Sequence, residues 1–426
     1  ENLTVYNVST VDQNGDNIKN IYNWYRNGTS IAVLNVPFEG GSNDSLFFRD
    51  YSSRGNNVTI NSIIPNYDFT EGTTTNAVDW AESGSADRVS DKSYEDDFSM
   101  KFVAPTSAQA TTTGSITVST NTEYILSGWV WNNLDSGTNA YIDLNDIAEE
   151  CSPSSTQGNN AWEFVSCKFV TAGGTSSVTV RLVVDGASIG SNTGDVWFDQ
   201  ISLHRSQLWD QDGGYDGFGA VELNGIGDRL EVYPDNSIEL TNNFTSMLWV
   251  KAKDLTGDHQ VLLSKWQPSG ANNAMWVVEL NTGTYTPQFV TKKGADANDV
   301  LVSPTDLIKD QWHHVAVSYD GVSKRIYIDG VQTNTSSLTG NLNSNNGILA
   351  IGAHNITGDQ NWFNGSVDEL MMFNRSLSAQ QILALYENKT NFIHTNETKV
   401  NEIWNASITP NDGGVDGATT FATYGV

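Results

Sequence analysis

The stretch Trp312–Gly330, WHHVAVSYDGVSKRIYIDG, decides the fold. Val315, Val317 and Tyr319 fall on one face at period two. Asp320-Gly321 then turns the chain, Ile326 and Ile328 alternate against Tyr327, and a second turn closes at Asp329-Gly330. Alternation bounded by Asp-Gly is the strongest short-range hairpin signal. Working outward, FTSMLWV (Phe244–Val250) and LLSKW (Leu262–Trp266) read as strands upstream. LAIG (Leu349–Gly352) and NGSVDELMMF (Asn364–Phe373) read as strands downstream. NRSLSAQQILALY, Asn374–Tyr386, breaks the pattern. Ser378 with Gln381 makes a capping box, and Ile382, Leu385 and Tyr386 share one helical face.

This arrangement resembles the laminin-G/concanavalin-A-like lectin domain, whose consensus reads W-HHVA-x-x-YDG followed by Y-x-DG, and whose sandwich ends on a short helix. Two other stretches are similar to parts of that family. Asn35–Asn57 (NVPFEGGSNDSLFFRDYSSRGNN) resembles its first strand and loop, and Leu208–Val232 (LWDQDGGYDGFGAVELNGIGDRLEV) its Gly-rich turn and following strand. Between them lies a different module. PNYDFTEG, FSMKFVA (Phe98–Ala104), EYILSGWVW (Glu123–Trp131), SVTVRLVVDG (Ser177–Gly186) and DVWFDQISLHR (Asp195–Arg205) follow one another there. Their order resembles a jelly-roll carbohydrate-binding module of the kind attached to cellulases and xylanases. At the two ends, IYNWYRNGTSIAVL and VNEIWNASITPNDG with GATTFATYGV resemble the halves of an immunoglobulin-like bacterial or archaeal surface repeat.

The expected fold is therefore all-β, a nest of β-sandwiches with one short helix. Residues 1–34 and 393–426 form an immunoglobulin-like domain in two halves. Residues 35–59 and 206–392 form the concanavalin-A-like lectin domain, and residues 60–205 a carbohydrate-binding-module-like jelly roll. Insertions of this kind are tolerated at surface loops whose ends lie close together.

Composition narrows the function. The chain has 426 residues and a formal charge of −28, from 50 acidic and 22 basic side chains. That balance opposes nucleic acid and anionic membrane, which need clustered Lys and Arg. The plain reading of the acidity is a solvated outer surface; the sharper one is that some carboxylates hold calcium. No apolar run is long enough to span a bilayer. The chain starts at Glu1 with neither Met nor an apolar leader, so it reads as processed or excised. Sequons N-x-S/T stand at Asn2, Asn7, Asn27, Asn43, Asn57, Asn243, Asn334, Asn355, Asn364, Asn374, Asn388, Asn396 and Asn405. None lies between Ile60 and Asn242, which sets the inserted module apart. An extracellular, cell-surface glycoprotein is the expected setting. Cys151 and Cys167 are the only cysteines and read as a disulfide, the alternative being two buried thiols. Only His204 stands near them in sequence, too few ligands for structural zinc.

No catalytic set emerges. The histidines His204, His259, His313, His314, His354 and His394 are scattered and read as packing or rim positions. Concanavalin-like glycosidases carry carboxylates two apart on a strand, whereas Asp368-Glu369 are adjacent, and a strand points adjacent residues to opposite faces. The expectation is a protein that is not an enzyme. For Ca²⁺, the jelly-roll resemblance implies Asp199, with Asp68 standing in for a Glu that this chain replaces by Thr70. The lectin resemblance implies Asp228 and Asp368. Asp12, Asn14 and Asp16 have the spacing of a linear calcium loop without its final Glu. The competing reading for each is turn capping. For glycans, Trp131, Trp162 and Trp80 are the candidates. Trp129 shares a strand face with Trp131 and reads as core. The partners expected are glycans of the cell surface or environment and copies of the chain itself in a head-to-tail filament. In that filament the Asn2–Val11 strand of one copy fills the split terminal domain of the next. The alternative is the carbohydrate-binding region of a secreted polysaccharide-degrading enzyme.

Overall fold

A computed structural model describes residues 1–7, 10, 15–39, 47–64, 66–73, 75–94, 97–145, 151–156, 158–254, 259–266, 274–294, 297–354 and 361–425. Strands dominate these residues, and Ala379–Tyr386 is the one α-helix among them. Two compact units are present, one made of Glu1–Ile60 with Leu208–Val426, the other of Asn61–Gln207. None of the described helices is long and apolar enough to cross a membrane.

The first unit is built on the hairpin that the sequence singles out. Trp312–Tyr319 pairs with Phe244–Ala252 on one side and with Ser323–Ile328 on the other. At the turn, Asp320 Oδ1 accepts the N–H groups of Val322 at 2.9 Å and Ser323 at 2.7 Å. Gly321 there takes φ +80°, a left-handed backbone that glycine adopts without strain. Period-two alternation then sorts the side chains. Val315, Val317, Tyr319, Ile326 and Ile328 enter a core between two eight-stranded sheets, while Ala316 and Tyr327 face a second apolar cluster behind them. Both sheets also take strands from before the second unit: Ala32–Val36 pairs with Asn364–Phe373, and Val58–Ile60 with Leu230–Val232.

The second apolar cluster is roofed by a four-stranded sheet drawn from the two ends of the chain. Lys19–Arg26 pairs residue for residue with Ile403–Asn411, which pairs in turn with Thr420–Gly425. Trp24 and Trp404 meet edge to face at 6.4 Å and pack with Met371 and Phe373 of the lectin-like sheet. Three apolar residues of the terminal segments lie outside this cluster. Val33 belongs to the core between the large sheets, where its strand pairs, and Ile403 and Phe421 are 55% and 71% exposed. The N-terminal strand is also shorter than the expected Asn2–Val11. Among its described residues Leu3–Thr4 pairs, with Phe392–Ile393, while Leu3 and Val5 are both buried and Tyr6 is exposed.

The helix starts where Ser378 places it, its hydroxyl accepting the Gln381 N–H at 3.2 Å. The reciprocal half of the expected capping box is absent. The Gln381 amide instead donates to Phe392 O at 3.1 Å and accepts from His394 N at 2.7 Å, tying the helix to the segment that pairs with the N-terminal strand.

The unit Asn61–Gln207 is a sandwich of two five-stranded sheets over a core that includes Leu126, Val130, Val165, Leu182 and Phe198. Cys151 and Cys167 are bonded, linking the strand Trp162–Val170 to the segment that precedes it.

Candidate functional site

Two places in the molecule gather chemically distinctive side chains, one in each unit.

In the second unit the sheet containing Glu123–Asn132 has an aromatic outer face. Alternation sends Tyr124, Leu126 and Val130 into the core and turns Trp129 and Trp131 outward, so Trp129 is not the core residue expected from sequence. On the neighbouring strand Val165 and Phe169 face inward, leaving Trp162 and Phe164 on the outer side. The cross-strand register aligns these residues in two rows. Trp162, Trp131, Trp197 and Lys101 stand opposite one another along the first, and Phe164, Trp129 and Asp199 along the second. The Trp131 and Trp162 rings lie 6.1 Å apart at 80°, and Trp129 and Phe164 5.3 Å apart at 56°. Phe164 is 39% exposed, a large apolar ring left open to solvent. Trp80, the third glycan candidate, is on the other sheet. It is buried in the core with its Nε1–H donated to Asn66 O at 3.1 Å, and cannot meet a ligand.

Part of the aromatic face is covered by the chain itself. Tyr94 stacks on Trp129 at 3.7 Å and 15°, and the Lys92 ammonium lies 3.4 Å from the centre of the Trp131 ring. Asp199 sits beneath. It is fully buried, one carboxylate oxygen accepting Tyr94 N–H at 2.6 Å and the other Gln200 N–H at 2.7 Å. Gln200 at φ +49° marks the bulge that turns Asp199 toward this loop.

In the first unit, Glu39, Asp368 and Glu369 bring carboxylate oxygens within 4.8 Å of one another, all buried. A bulge makes this possible. Glu369 takes φ +50°, and the register with Phe244–Ala252 slips by one residue there. Adjacent carboxylates that a regular strand would send to opposite faces thus converge, and the sequence-level reason for setting this pair aside does not hold. Lys19, from the terminal sheet, reaches into the group. Its ammonium contacts Glu39 and Glu369 and lies 2.7 Å from Asp216. Backbone donors complete the surroundings: Gly219 N–H to Glu39 at 2.8 Å, Tyr215 N–H to Asp368 at 3.0 Å and Glu369 N–H to Asp368 at 2.7 Å. The Gly-rich turn is needed for this approach, since a Cβ on Gly219 would stand 2.4 Å from Phe38 O. Burial pushes Glu39 up to about 7. Burial and the neighbouring Glu369 charge push Asp368 well above the carboxylate range, and burial also raises Glu369. Burial alone would lower Lys19, but Glu369, Glu39, Asp368 and Asp216 outweigh it and raise the ammonium above its usual value.

Of the four carboxylates expected to hold calcium, Asp68 and Asp199 lie in the second unit and Asp228 and Asp368 in the first. Asp68 turns back on its own loop, accepting from Thr70 N at 3.2 Å and Thr70 Oγ1 at 3.0 Å. Asp228 caps Asn224 N–H at 3.0 Å, which is the turn-capping reading. Asp199 gives both oxygens to backbone N–H groups. Only Asp368 joins a three-carboxylate group among the described residues, and there the Lys19 ammonium stands where a cation would. With Lys19 in place these donors do not fit calcium as well. Asp12 and Asn14 of the proposed linear loop lie outside the described residues, as do the sequons Asn43 and Asn355. Asn2, Asn7, Asn27, Asn57, Asn243, Asn334, Asn374, Asn388 and Asn396 are exposed, while Asn364 and Asn405 are half-buried in strands. His204 and His314 are buried, which lowers each to about 4 and keeps them neutral, consistent with packing roles.

Sequence reasoning missed Phe164, Trp197 and Tyr94 in the second unit, and Lys19, Glu39, Asp216 and Glu369 in the first. The strand residues had a signal: Phe164 and Trp197 keep the parity of Trp162 and Asp199 in their own strands. The others depend on a loop, a bulge and a contact between distant segments, none of which periodicity records.

Residues 223–383 match the family model of the concanavalin A-like lectin/glucanases superfamily, Laminin_G_3. That range omits Ala32–Val36, Phe47–Phe48 and Val58–Ile60, which belong to the same two sheets but precede the second unit in sequence. Comparison with curated proteins finds no match. Among solved structures, domain 4 of an extracellular GH43 arabinanase from Geobacillus stearothermophilus, in complex with arabinotriose, is 22% identical. The match covers 42% of this chain and 80% of that one, with a TM-score of 0.34. The binding domain of Paraclostridial Mosquitocidal Protein 1 is 16% identical over 43% of this chain and 46% of its own, with a TM-score of 0.35. The botulinum neurotoxin serotype D binding domain is 17% identical over 44% and 49%, with a TM-score of 0.33. The chain spans about half the length of these two toxin binding domains. Residues 223–383, with the two sheets that enclose their core, are thus similar to the concanavalin A-like lectin/glucanases superfamily.

Proposed function

We propose that this is a non-enzymatic binding protein of the extracellular surface, which takes a glycan chain on the aromatic outer face of the sheet containing Glu123–Asn132. The two rows of rings carry the reading. Trp131, Trp162 and Trp129 are half-buried and Phe164 is exposed on a face outside the apolar core, where leaving large apolar rings open to water stabilises nothing. The flat C–H faces of sugars stack on such rings, and Asn, Asp and Lys groups around them supply polar contacts. No sequon falls anywhere in residues 61–207, so no N-linked glycan obstructs this face. The buried Glu39–Asp368–Glu369 group, wrapped around a lysine, serves to hold the terminal strand, and no catalytic role is assigned to it. The test is calorimetry or glycan-array binding with wild type and Trp131→Ala. Micromolar binding to one glycan class that Trp131→Ala weakens at least about tenfold supports the reading, a loss of about 1.4 kcal/mol. Binding unaffected by that substitution, or none at all, rejects it. The same face suits the carbohydrate-binding region of a polysaccharide-degrading enzyme, and strong selectivity for one plant polysaccharide would favour that alternative.

A second reading, self-assembly as a filament subunit or adhesin, is favoured by the N-terminal segment. Leu3 and Val5 are buried, and the segment is held by the short pairing of Leu3–Thr4 with Phe392–Ile393 and by Val5 bonding to Asn391 at 3.0 and 2.9 Å. Another copy supplying the same segment would restore the same contacts, which is the condition for head-to-tail exchange. Light scattering across a concentration series, with and without residues 1–11, tests it. A strictly monomeric intact chain, or unchanged assembly after truncation, refutes strand donation.

A further inference from the structure

We propose that the segment Ser90–Tyr94 is a strap that occupies the aromatic face from within, so that a glycan binds only by displacing it. The inference rests on the glycan-binding reading above and adds how that site is regulated. Tyr94 lies flat on Trp129, 3.7 Å away and 15° from parallel, which is the stacking position a sugar ring would need on that indole. One indole face cannot hold both. Two residues earlier, the Lys92 ammonium lies 3.4 Å from the centre of Trp131 and 4.8 Å from that of Trp197, covering the neighbouring ring of the first row. The strap covers the inner part of the platform, and Phe164 stays 39% exposed beside it.

The way the strap is held suits displacement. The pairing of Ala86–Val89 with Ser99–Phe102 ends at Val89, and beyond it the strap is held at separate points, among them the Ser99 hydroxyl donating to Lys92 O at 2.5 Å. Tyr94 N–H donates to Asp199 at 2.6 Å, Trp197 Nε1–H donates to Asp91 at 2.9 Å, and Lys101 reaches Asp91 at 3.0 Å. Asp199, Trp197 and Lys101 sit on the sheet and remain in place when the strap, which carries Asp91, lifts. They would then present a carboxylate, an indole N–H and an ammonium to the ligand's hydroxyl groups. Apparent affinity in such an arrangement is the intrinsic affinity multiplied by the fraction of molecules with the strap open.

Calorimetry with short cello-, xylo- and arabino-oligosaccharides on wild type, Tyr94→Ala, Tyr94→Phe and Lys92→Gln provides the test. Tyr94→Ala should tighten binding about tenfold, equivalent to about 1.4 kcal/mol. Lys92→Gln should tighten it by a smaller factor, and Tyr94→Phe, which keeps the stacked ring, should match wild type. Without ligand, Tyr94→Ala should also raise acrylamide quenching of tryptophan fluorescence. Weaker or unchanged binding by both Tyr94→Ala and Lys92→Gln, in a protein whose binding Trp131→Ala still abolishes, overturns the strap and leaves the glycan site standing. Unchanged quenching in Tyr94→Ala overturns it as well. Absence of binding by every variant removes the glycan reading and the strap together.

Discussion

Replacing Lys19 with Met should release the terminal sheet from the lectin-like sandwich. Lys19 is the cation in contact with Glu39, Asp216 and Glu369, and those three side chains are 0%, 10% and 8% exposed. Met matches the length of the stem and removes only the charge. Taking away one partner of a buried ion pair costs about 3–5 kcal/mol, because the remaining charges stay desolvated and uncompensated. For a domain of this size each kcal/mol moves the melting temperature by about 2–4 °C, so a loss of roughly 6–20 °C is expected near neutral pH. The pH dependence gives an independent check. Burial raises Glu39 from the usual 4.5 to about 7, so between those values the folded state holds more protons than the unfolded one. Stability therefore falls as pH rises through that window. At about 1.4 kcal/mol per pKa unit, Glu39 alone accounts for about 3 kcal/mol between pH 4.5 and 7, and the raised Asp368 and Glu369 act in the same direction. The raised Lys19 contribution is complete below pH 10.5 and is lost only above it. Protonation can substitute for the missing ammonium, so Lys19→Met should lose less at pH 5 than at pH 8. Scanning calorimetry of the whole chain at both pH values measures this. A variant that melts within a degree of wild type at pH 8, or loses more at pH 5, refutes the assignment.

Three further outcomes are expected. Titration of the unfolded, unreduced protein should find no free thiol, and reduction should lower the stability of the unit Asn61–Gln207 by about 3 kcal/mol, given a sequence separation of 16. Excess chelator should leave the melting temperature unchanged, because Lys19 takes the cation's place among the buried carboxylates; a clear drop would show that a metal contributes elsewhere. Gly194→Ala should destabilise the second unit by several kcal/mol, measured by urea unfolding, since the new Cβ would fall 1.8 Å from Asn133 O on a backbone with no room to move.

Legibility in the sequence followed periodicity. The Trp312–Gly330 hairpin could be read because both alternation and turn chemistry are local, and the same holds for Ser378 at the helix start. The outward parity of Trp131 and Trp162 was legible for that reason too. Trp129 reads as core from the sandwich architecture alone, whereas its parity with Trp131 places it outward. Trp80 was misread because one aromatic in a two-residue strand carries no period. The carboxylate group was invisible for a different reason. Its geometry depends on a left-handed Glu369 in the middle of an apolar strand, a conformation uncommon for a non-glycine residue and unmarked by any local signal. Its cation comes from a position 350 residues away in sequence.

The position of Lys19 also decides which part of the N-terminal segment can exchange between copies. Leu3 and Val5 are held by a two-residue pairing, by the Val5 N–H and C=O bonded to Asn391 at 3.0 and 2.9 Å, and by apolar contacts, all of which another copy can replace in kind. Lys19 begins an eight-residue strand paired along its length with Ile403–Asn411, and it neutralises carboxylates from three separate segments of the sandwich. Withdrawing that strand would break the ladder and leave the buried carboxylates without their cation, so in the proposed exchange it would stay docked. It follows that assembly by strand exchange and melting through the carboxylate group are separable. Lys19→Met should lower stability without abolishing self-association, whereas removal of residues 1–11 should abolish self-association.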